Sequence, residues 1–169
     1  DAEGIEVPNF DDKTLSLNVK YSAAGTGGTL WFGGTQAGIN NGFVLLPATS
    51  TVLKLGNEGG ALTANNANQW NQIKTFDAMT AGLDSFVGKS FTLDISFDYG
   101  EDANQDGQPD TLTMGFYFNG KLYNNETYTF TGIDTAIGNY LTVYSANEAS
   151  KVEVFTTVEK DPIIPDEPE

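Results

Sequence analysis

The sequence predicts an all-β protein, a two-sheet antiparallel β-sandwich of the jelly-roll type. Two observations support this. First, apolar and polar residues alternate along Phe91–Tyr99 and Thr111–Phe118, so that each segment has one apolar and one polar face. Second, the other apolar segments are short and are separated by turn-forming residues. Strands that bury only one face are typical of antiparallel sheets.

The other predicted strands follow the same pattern along the chain. They cover residues 1–8, as an edge strand or a loose start, and 14–20, with Tyr21 as an optional extension, then 29–32, 43–46, 51–55, 72–76, 121–123, 127–131, 140–144 and 151–158. Pro47–Ser50 is predicted to be a hairpin loop, and Asn119–Gly120 a type I′ turn. Apolar spacing predicts a helical turn within Phe76–Phe86. The total is roughly eleven to thirteen strands, which favours a sandwich.

Composition excludes several classes of function. The 169 residues suit one domain and include no cysteine, no histidine and no arginine. Catalytic triads with histidine, cysteine–histidine dyads and histidine-bound zinc are therefore excluded. The net charge of -15 argues against nucleic acids, anionic membranes and polyanionic ligands, so neutral partners and cations remain.

The chain is expected to contain one folded domain, residues 1–158, and an acidic, proline-rich linker, residues 159–169. A linker implies a covalently attached neighbouring module or a cell-surface attachment. No apolar run is long enough for a transmembrane helix. The sequence starts at Asp1 without a signal-peptide pattern, and we therefore expect a mature or excised domain. We expect a monomeric, secreted bacterial protein, located outside the cell or on its surface.

Three stretches resemble the concanavalin A-like lectin/glucanase fold, in its laminin-G-like and carbohydrate-binding-module branch. They are Thr29–Gly34 followed by Asn41–Leu46, then Gly88–Asp98, and Phe116–Tyr123 with its Asn-Gly-Lys-Leu turn. The resemblance spans about residues 13–157. It implies two curved antiparallel sheets of six or so strands each, with glycan bound on the concave face or at the loop rim.

The loop between the two long alternating segments is acidic and has the spacing of a calcium loop. Oxygen-bearing side chains stand at positions 1, 3, 5 and 9, with glycine at position 6 and a backbone carbonyl at position 7. The predicted ligands are Asp102, Asn104, Asp106, Gln108 and Asp110. Position 12 is Thr113 instead of glutamate, so a structural Ca²⁺ would need water or Glu101 as a further ligand. The alternative is a metal-free hairpin loop closed by local side-chain hydrogen bonds.

The candidate ligand residues are aromatic, amide and carboxylate side chains, some on predicted polar strand faces and some in or beside the amide-rich loop over residues 57–71. Aromatic rings stack on the C–H faces of sugars, and amides and carboxylates bond the hydroxyl groups. The candidates are Trp31, Trp70, Tyr117, Asp94, Asn68, Gln72, Tyr140 and Tyr144. Because tryptophan is mostly buried in proteins, burial in the sandwich is the alternative for each ring.

The sequence lacks the acid pair of a glycosidase. Retaining enzymes of this fold typically carry a Glu-x-Asp-x-Glu strand, whereas here Asp94 and Asp98 are four residues apart with no glutamate. The sequence therefore predicts a non-catalytic carbohydrate-binding module that targets an attached enzyme or surface protein to a neutral polysaccharide such as xylan, β-glucan or starch. The alternatives are a structural or adhesive spacer of a cell-wall protein and, more distantly, a glycoside hydrolase.

Overall fold

The computed structural model describes residues 2–6, 14–25, 27–34, 42–57, 74–103, 105, 107, 109–131, 138 and 140–157. Twelve β-strands lie in this part of the chain. They are β1 (Ala2–Glu6), β2 (Thr14–Tyr21), β3 (Gly28–Gly34), β4 (Phe43–Thr49), β5 (Val52–Asn57), β6 (Lys74–Asp77), β7 (Phe91–Tyr99), β8 (Thr111–Phe118), β9 (Lys121–Leu122), β10 (Tyr128–Thr131), β11 (Tyr140–Ser145) and β12 (Val152–Thr157). Short 3₁₀ turns span Tyr123–Asn125 and Glu148–Ser150.

The strands form two sheets of six. Sheet A has the order β1-β11-β3-β4-β5-β6. Sheet B has the order β10-β8-β7-β2-β12, and β9 pairs with β8. Every pair of these strands is antiparallel. The prediction of an all-β, two-sheet antiparallel β-sandwich is confirmed.

The core lies between the sheets and is built from the apolar faces that the alternation predicts. Phe32 of sheet A meets Phe97 of sheet B edge to face, with ring centroids 6.1 Å apart. Phe76 and Phe116 make a second contact between the sheets, at 4.9 Å. Each fully buried side chain of this kind stabilises the fold by about 1.5–3 kcal/mol. The outer faces of both sheets are left for other contacts.

One edge of the sandwich is closed by a cation–π contact. The ammonium of Lys74, on edge strand β6, lies 4.3 Å from the ring centroid of Tyr128, on edge strand β10. Desolvation lowers the pKa of Lys74, opposed by the nearby charge of Glu126. Desolvation is also the main cause that raises the pKa of Tyr128. The contact links the edges of the two sheets.

Two sequence predictions differ from the structure. Pro47 lies inside β4, not in a loop, because the register shifts between Pro47 and Thr49. A bulge of this kind tolerates a residue without an N–H group. Of the segment predicted to contain a helical turn, Phe76–Phe86, the first two residues end β6 and the residues after them form hydrogen-bonded turns, in which Ala81 N–H donates to Asp77 C=O at 3.0 Å. Met79 is exposed instead of packing on the core.

The predicted type I′ turn is confirmed. Asn119 and Gly120 both have positive φ, 49° and 85°, and they connect β8 to β9. Tyr117 pairs with Leu122 across this turn, and Phe118 with Lys121. The turn thereby fixes the register at the edge of sheet B.

Several sequence predictions fall outside the described residues. They include the linker over residues 159–169 and the loop residues Asn68, Trp70 and Gln72. Within the residues that the structure describes, no helix is long and apolar enough to cross a membrane.

Candidate functional site

Among the described side chains, the outer face of sheet B carries a row of polar groups around the ring of Tyr117. Because the odd-numbered residues of β7 are buried in the core, its even-numbered residues point outwards. The registers of β2 and β8 against β7 then place the outward residues of these two strands beside them. We call this surface the sheet B face; its central residues are Ser16, Asn18, Thr92, Asp94, Ser96 and Tyr117.

Asp94 and Tyr117 are direct cross-strand partners at the centre of the sheet B face. Directly opposite residues of an antiparallel pair have Cβ atoms about 4.5–5.5 Å apart. On the other side, Asp94 pairs with Ser16, whose hydroxyl donates a hydrogen bond to Asp94 Oδ1. Asp94 is only 9 % exposed, and so the side chains around it hold its carboxylate in place. The structure thus brings together two residues that the sequence selected separately.

The ring of Tyr117 leans along β8 towards Gly115. Its Cε1 atom lies 3.2 Å from the position that a Cβ at Gly115 would occupy. Leu122 Cδ1 lies 3.4 Å from the same position, and Ser96 Oγ lies 2.7 Å from it. The absence of a side chain at Gly115 therefore leaves room for the ring of Tyr117 to lie against the sheet, where the residue is half-buried.

A second fixed polar group borders the sheet B face. Asn119 Oδ1 accepts hydrogen bonds from Thr92 N–H, at 2.9 Å, and from Thr92 Oγ1, at 3.2 Å. These bonds orient the side-chain amide of Asn119, in the β8–β9 turn, beside Thr92 near the start of β7. Within the described part of the chain, no acceptor pairs with the amide nitrogen of Asn119, so it is a donor whose orientation is set by the bonds to Thr92.

The other predicted rings lie on the outer face of sheet A. Trp31 points away from the core, as its alternation with Leu30 and Phe32 predicts. It is nevertheless only 4 % exposed, packed in a separate cluster with Val44 and Leu46. Its indole N–H is buried without a partner among the described residues. In this arrangement Trp31 has no open ring face on which a sugar could stack.

Tyr140 and Tyr144 flank Trp31 on the same outer face. Both are half-buried members of β11, separated by Thr142, which is the cross-strand partner of Trp31. The outer face of sheet A and the sheet B face lie on opposite sides of the core. The predicted ligand residues that the structure describes therefore do not form a single site. Tyr117 and Asp94 meet on one face, and Trp31, Tyr140 and Tyr144 lie on the other.

The acidic loop is closed by bonds from its carboxylates to the backbone. Asp102 Oδ2 accepts from Gly107 N–H at 2.9 Å, and Asp110 Oδ2 accepts from Ala103 N–H at 3.0 Å. Gln105 and Gly107 adopt positive φ, at 58° and 87°. Asn104, Asp106 and Gln108 lie outside the described residues, and among those that are described no three acidic side chains are grouped to hold a metal.

Sequence reasoning did not identify all of the sheet B face. Ser16 and Gly115 were not selected, because neither a lone serine in a strand nor a strand glycine signals a ligand site. Asn119 was identified only as a turn residue. Two registers bring these residues together: β2–β7 places Ser16 beside Asp94, and β7–β8 places Gly115 beside Ser96.

The sheet B face combines a half-buried aromatic ring with oriented donors and acceptors at neighbouring strand positions. Its aromatic ring suits an apolar C–H surface, and its carboxylate, hydroxyl and amide groups suit a ligand rich in hydroxyl groups. At the centre of the sheet B face, the described polar groups include one carboxylate, that of Asp94, and no cation lies beside it.

Comparisons with known proteins identify the fold. No family model matches the sequence, and no curated protein matches it. A solved structure of a double mutant of congerin II, a galectin, covers 94 % of this chain and 100 % of its own, with 14 % identity and a TM-score of 0.50. A single mutant of the same protein covers 93 % of this chain and 100 % of its own, with 14 % identity and a TM-score of 0.48. The chain thus has a jelly-roll β-sandwich fold similar to that of a galectin.

Proposed function

We propose that this chain is a non-catalytic carbohydrate-binding module that binds a neutral polysaccharide on the sheet B face. The observation that carries the proposal is the arrangement of Tyr117, a half-buried ring on the outer face of sheet B that lies along Gly115 and has Asp94 as its cross-strand partner. The galectin-like fold supports a carbohydrate ligand by analogy only, because one fold hosts many functions.

Recognition would divide between stacking and hydrogen bonding. The ring of Tyr117 would take the C–H face of one sugar unit, while Asp94 and the Asn119 amide would bond hydroxyl groups beside it. The neighbouring side chains are short, mostly serine, threonine and asparagine, so the surface is shallow and wet. We expect affinities from the order of millimolar to micromolar. Xylan, β-glucan and starch-like chains are the candidate ligands.

The absence of hydrolysis is part of the proposal. Asp94 and Asp98 are the two acids on the outward side of β7, and four residues of strand separate them by about 13–14 Å. Acid pairs of glycosidases are roughly 5–5.5 Å apart in retaining enzymes and roughly 6.5–9.5 Å apart in inverting ones. The spacing on this strand is wider than both, which supports binding without cleavage.

The biological setting extends the same proposal. A weakly binding module is useful when it is attached to a catalytic or surface protein, since it raises the effective concentration of that partner at the polysaccharide. The proline-rich residues 159–169 would connect the module to its neighbour. We infer a monomeric module of a bacterial protein that works outside the cell or on its surface.

We also propose that the acidic loop holds a structural calcium ion. Gly107 N–H and Ala103 N–H orient the carboxylates of Asp102 and Asp110 within the loop, and both aspartates belong to the spacing typical of calcium ligands. The ion would join the ends of β7 and β8 and thereby support the register of the sheet B face. It would have no catalytic role.

Native gels that contain soluble polysaccharides test the proposed function. Purified protein is run in gels with xylan, mixed-linkage β-glucan or soluble starch, and we expect retardation in at least one. Tyr117→Ala should abolish it, whereas Tyr144→Ala, a matched change on the opposite face, should not. Absence of retardation in all three gels would contradict the proposal and favour a structural spacer. Retardation lost only in Trp70→Ala would contradict the assigned face.

A further inference from the structure

A cavity at one end of sheet A lies apart from the sheet B face. It has a volume of about 430 Å³, and its lining residues are Thr51, Asp77, Ala78, Met79, Leu83 and Asp84. Most of them belong to the turns that follow β6, and Thr51 comes from the β4–β5 hairpin. This volume falls within the roughly 300–1,000 Å³ of typical small-ligand sites. The cavity is therefore large enough to receive a small organic group.

Its backbone is held in place by hydrogen bonds. Ala78 N–H donates to Thr51 C=O at 2.9 Å, and Leu83 N–H donates to Ala78 C=O at 2.8 Å. Asp77 N–H donates to the hydroxyl of Tyr123 at 2.9 Å, which links the segment to the 3₁₀ turn after β9. The backbone around the cavity is therefore held in place before any ligand arrives, and binding would order mainly side chains.

Met79 is exposed within this fixed segment. It is the one large apolar side chain that is exposed among the described residues, at 85 %. The N–H group of Gly82 donates a hydrogen bond to the carbonyl of Met79 at 3.0 Å. A loose backbone therefore does not account for the exposure of the Met79 side chain. A flexible thioether adapts to apolar groups of different shape. Together with Leu83, Met79 gives the cavity an apolar side.

The polar side of the cavity is negatively charged. Asp77 and Asp84 both line it, and Asp77 Oδ2 is oriented by Thr80 N–H at 3.2 Å. Lys89 approaches Asp84 at 3.7 Å, but both side chains of this ion pair are highly exposed, so it is weak. A ligand that matches this lining has an ammonium group joined to an apolar chain, and the net charge of -15 attracts such cations.

We propose that this cavity binds an alkylammonium group, from either a lysine side chain of a partner or a free primary amine. The ammonium would lie between the carboxylates of Asp77 and Asp84 and near the hydroxyl of Thr51. The methylene groups would pack on Met79 and Leu83. This site is independent of the proposed carbohydrate function, since its residues lie on sheet A and the adjoining turns.

Titration by NMR of the uniformly ¹⁵N-labelled full chain tests the site. The probes are pentylammonium chloride, the peptide acetyl-Ala-Lys-Ala-amide, and pentanol as the neutral match. We expect saturable shifts of amides 77–84 with the first two probes, at Kd values on the order of millimolar, and no saturation with pentanol. Tighter binding of the peptide would indicate a lysine of a partner, and binding of pentylammonium alone a free amine.

Matched charge variants complete the test. Asp84→Asn should raise the Kd for pentylammonium by about three- to fivefold, whereas Asp98→Asn, which removes an equal charge on sheet B, should leave it within twofold. Unchanged amide dispersion would show that both variants are folded. Equal weakening by the two variants, equal binding of pentanol, or no saturable shift at amides 77–84 would overturn the proposal.

Discussion

The hydroxyl of Tyr21 donates a hydrogen bond of 2.7 Å to the carbonyl of Leu45, and this bond joins the two sheets through the core. Tyr21 ends β2 of sheet B, and Leu45 lies in the middle of β4 of sheet A. Tyr21 is fully buried, and desolvation raises the pKa of its hydroxyl far above its usual range. The bond therefore persists at pH values where an exposed tyrosine would ionise.

Tyr21→Phe should destabilise the fold at neutral pH and change its response to alkali. The lost hydrogen bond should cost about 1 kcal/mol. Above pH 10 the unfolded chain releases the Tyr21 proton while the folded chain keeps it, so the wild type should lose up to about 1.4 kcal/mol per pH unit from this residue. Urea unfolding followed by circular dichroism between pH 7 and 11 should show the difference between the two proteins shrinking above pH 10. If the stabilities of the wild type and Tyr21→Phe change in parallel from pH 7 to 11, the predicted link between Tyr21 ionisation and unfolding is contradicted.

Gly115→Ala should disturb the sheet B face. The new methyl group would lie 2.7 Å from Ser96 Oγ and 3.2 Å from Tyr117 Cε1, so both side chains must move. Overpacking of this kind costs about 1–3 kcal/mol. Thermal unfolding should show a lower Tm, and the retardation in polysaccharide gels should weaken. Thr113→Ala, a change two residues earlier on the same side of β8, provides the control and should affect both readouts less.

Trp31 should be shielded from solvent. In a Trp70→Phe variant Trp31 is the sole source of tryptophan fluorescence, since the sequence contains two tryptophans. Its 4 % exposure predicts emission at short wavelength and weak quenching by acrylamide. Strong quenching in the folded variant would show that the outer face of sheet A is open, which would restore Trp31 as a candidate stacking platform.

Calcium should stabilise the acidic loop. We expect Tm to rise when Ca²⁺ is added to chelator-treated protein, because binding to the folded state alone stabilises it. Asp102→Asn should reduce the rise, since it removes one ligand charge but keeps an acceptor for Gly107 N–H. Glu148→Gln, at an exposed site elsewhere, should leave the rise unchanged. Equal melting temperatures with calcium and with chelator would leave the loop as a metal-free hairpin.

Alternation was sufficient to predict the strands whose two faces differ. The bounds predicted for β7 and β8, Phe91–Tyr99 and Thr111–Phe118, agree with the structure, because each has a buried and a polar side along its whole length. The turn at Asn119–Gly120 followed from residues that accept positive φ. Local patterns such as these depend on few distant contacts.

Features that depend on distant contacts were not predictable. Pro47 stays in β4 because of a shift against β5, and this shift has no signature in its own segment. Trp31 alternates correctly with its neighbours, yet its burial depends on what covers the outer face of sheet A. Similarly, Asp94 and Tyr117 were identified one at a time, and only the β7–β8 register makes them partners.

Isothermal titration calorimetry with oligosaccharides from the retarding polysaccharide tests the central claim most directly. Three proteins are compared: the wild type, Tyr117→Ala and Tyr144→Ala. We predict that Tyr117→Ala weakens binding at least about tenfold, the effect of losing a stacking ring worth about 1.4 kcal/mol, while Tyr144→Ala binds as the wild type does. Undiminished binding by Tyr117→Ala, or a loss confined to Tyr144→Ala, would contradict recognition on the sheet B face.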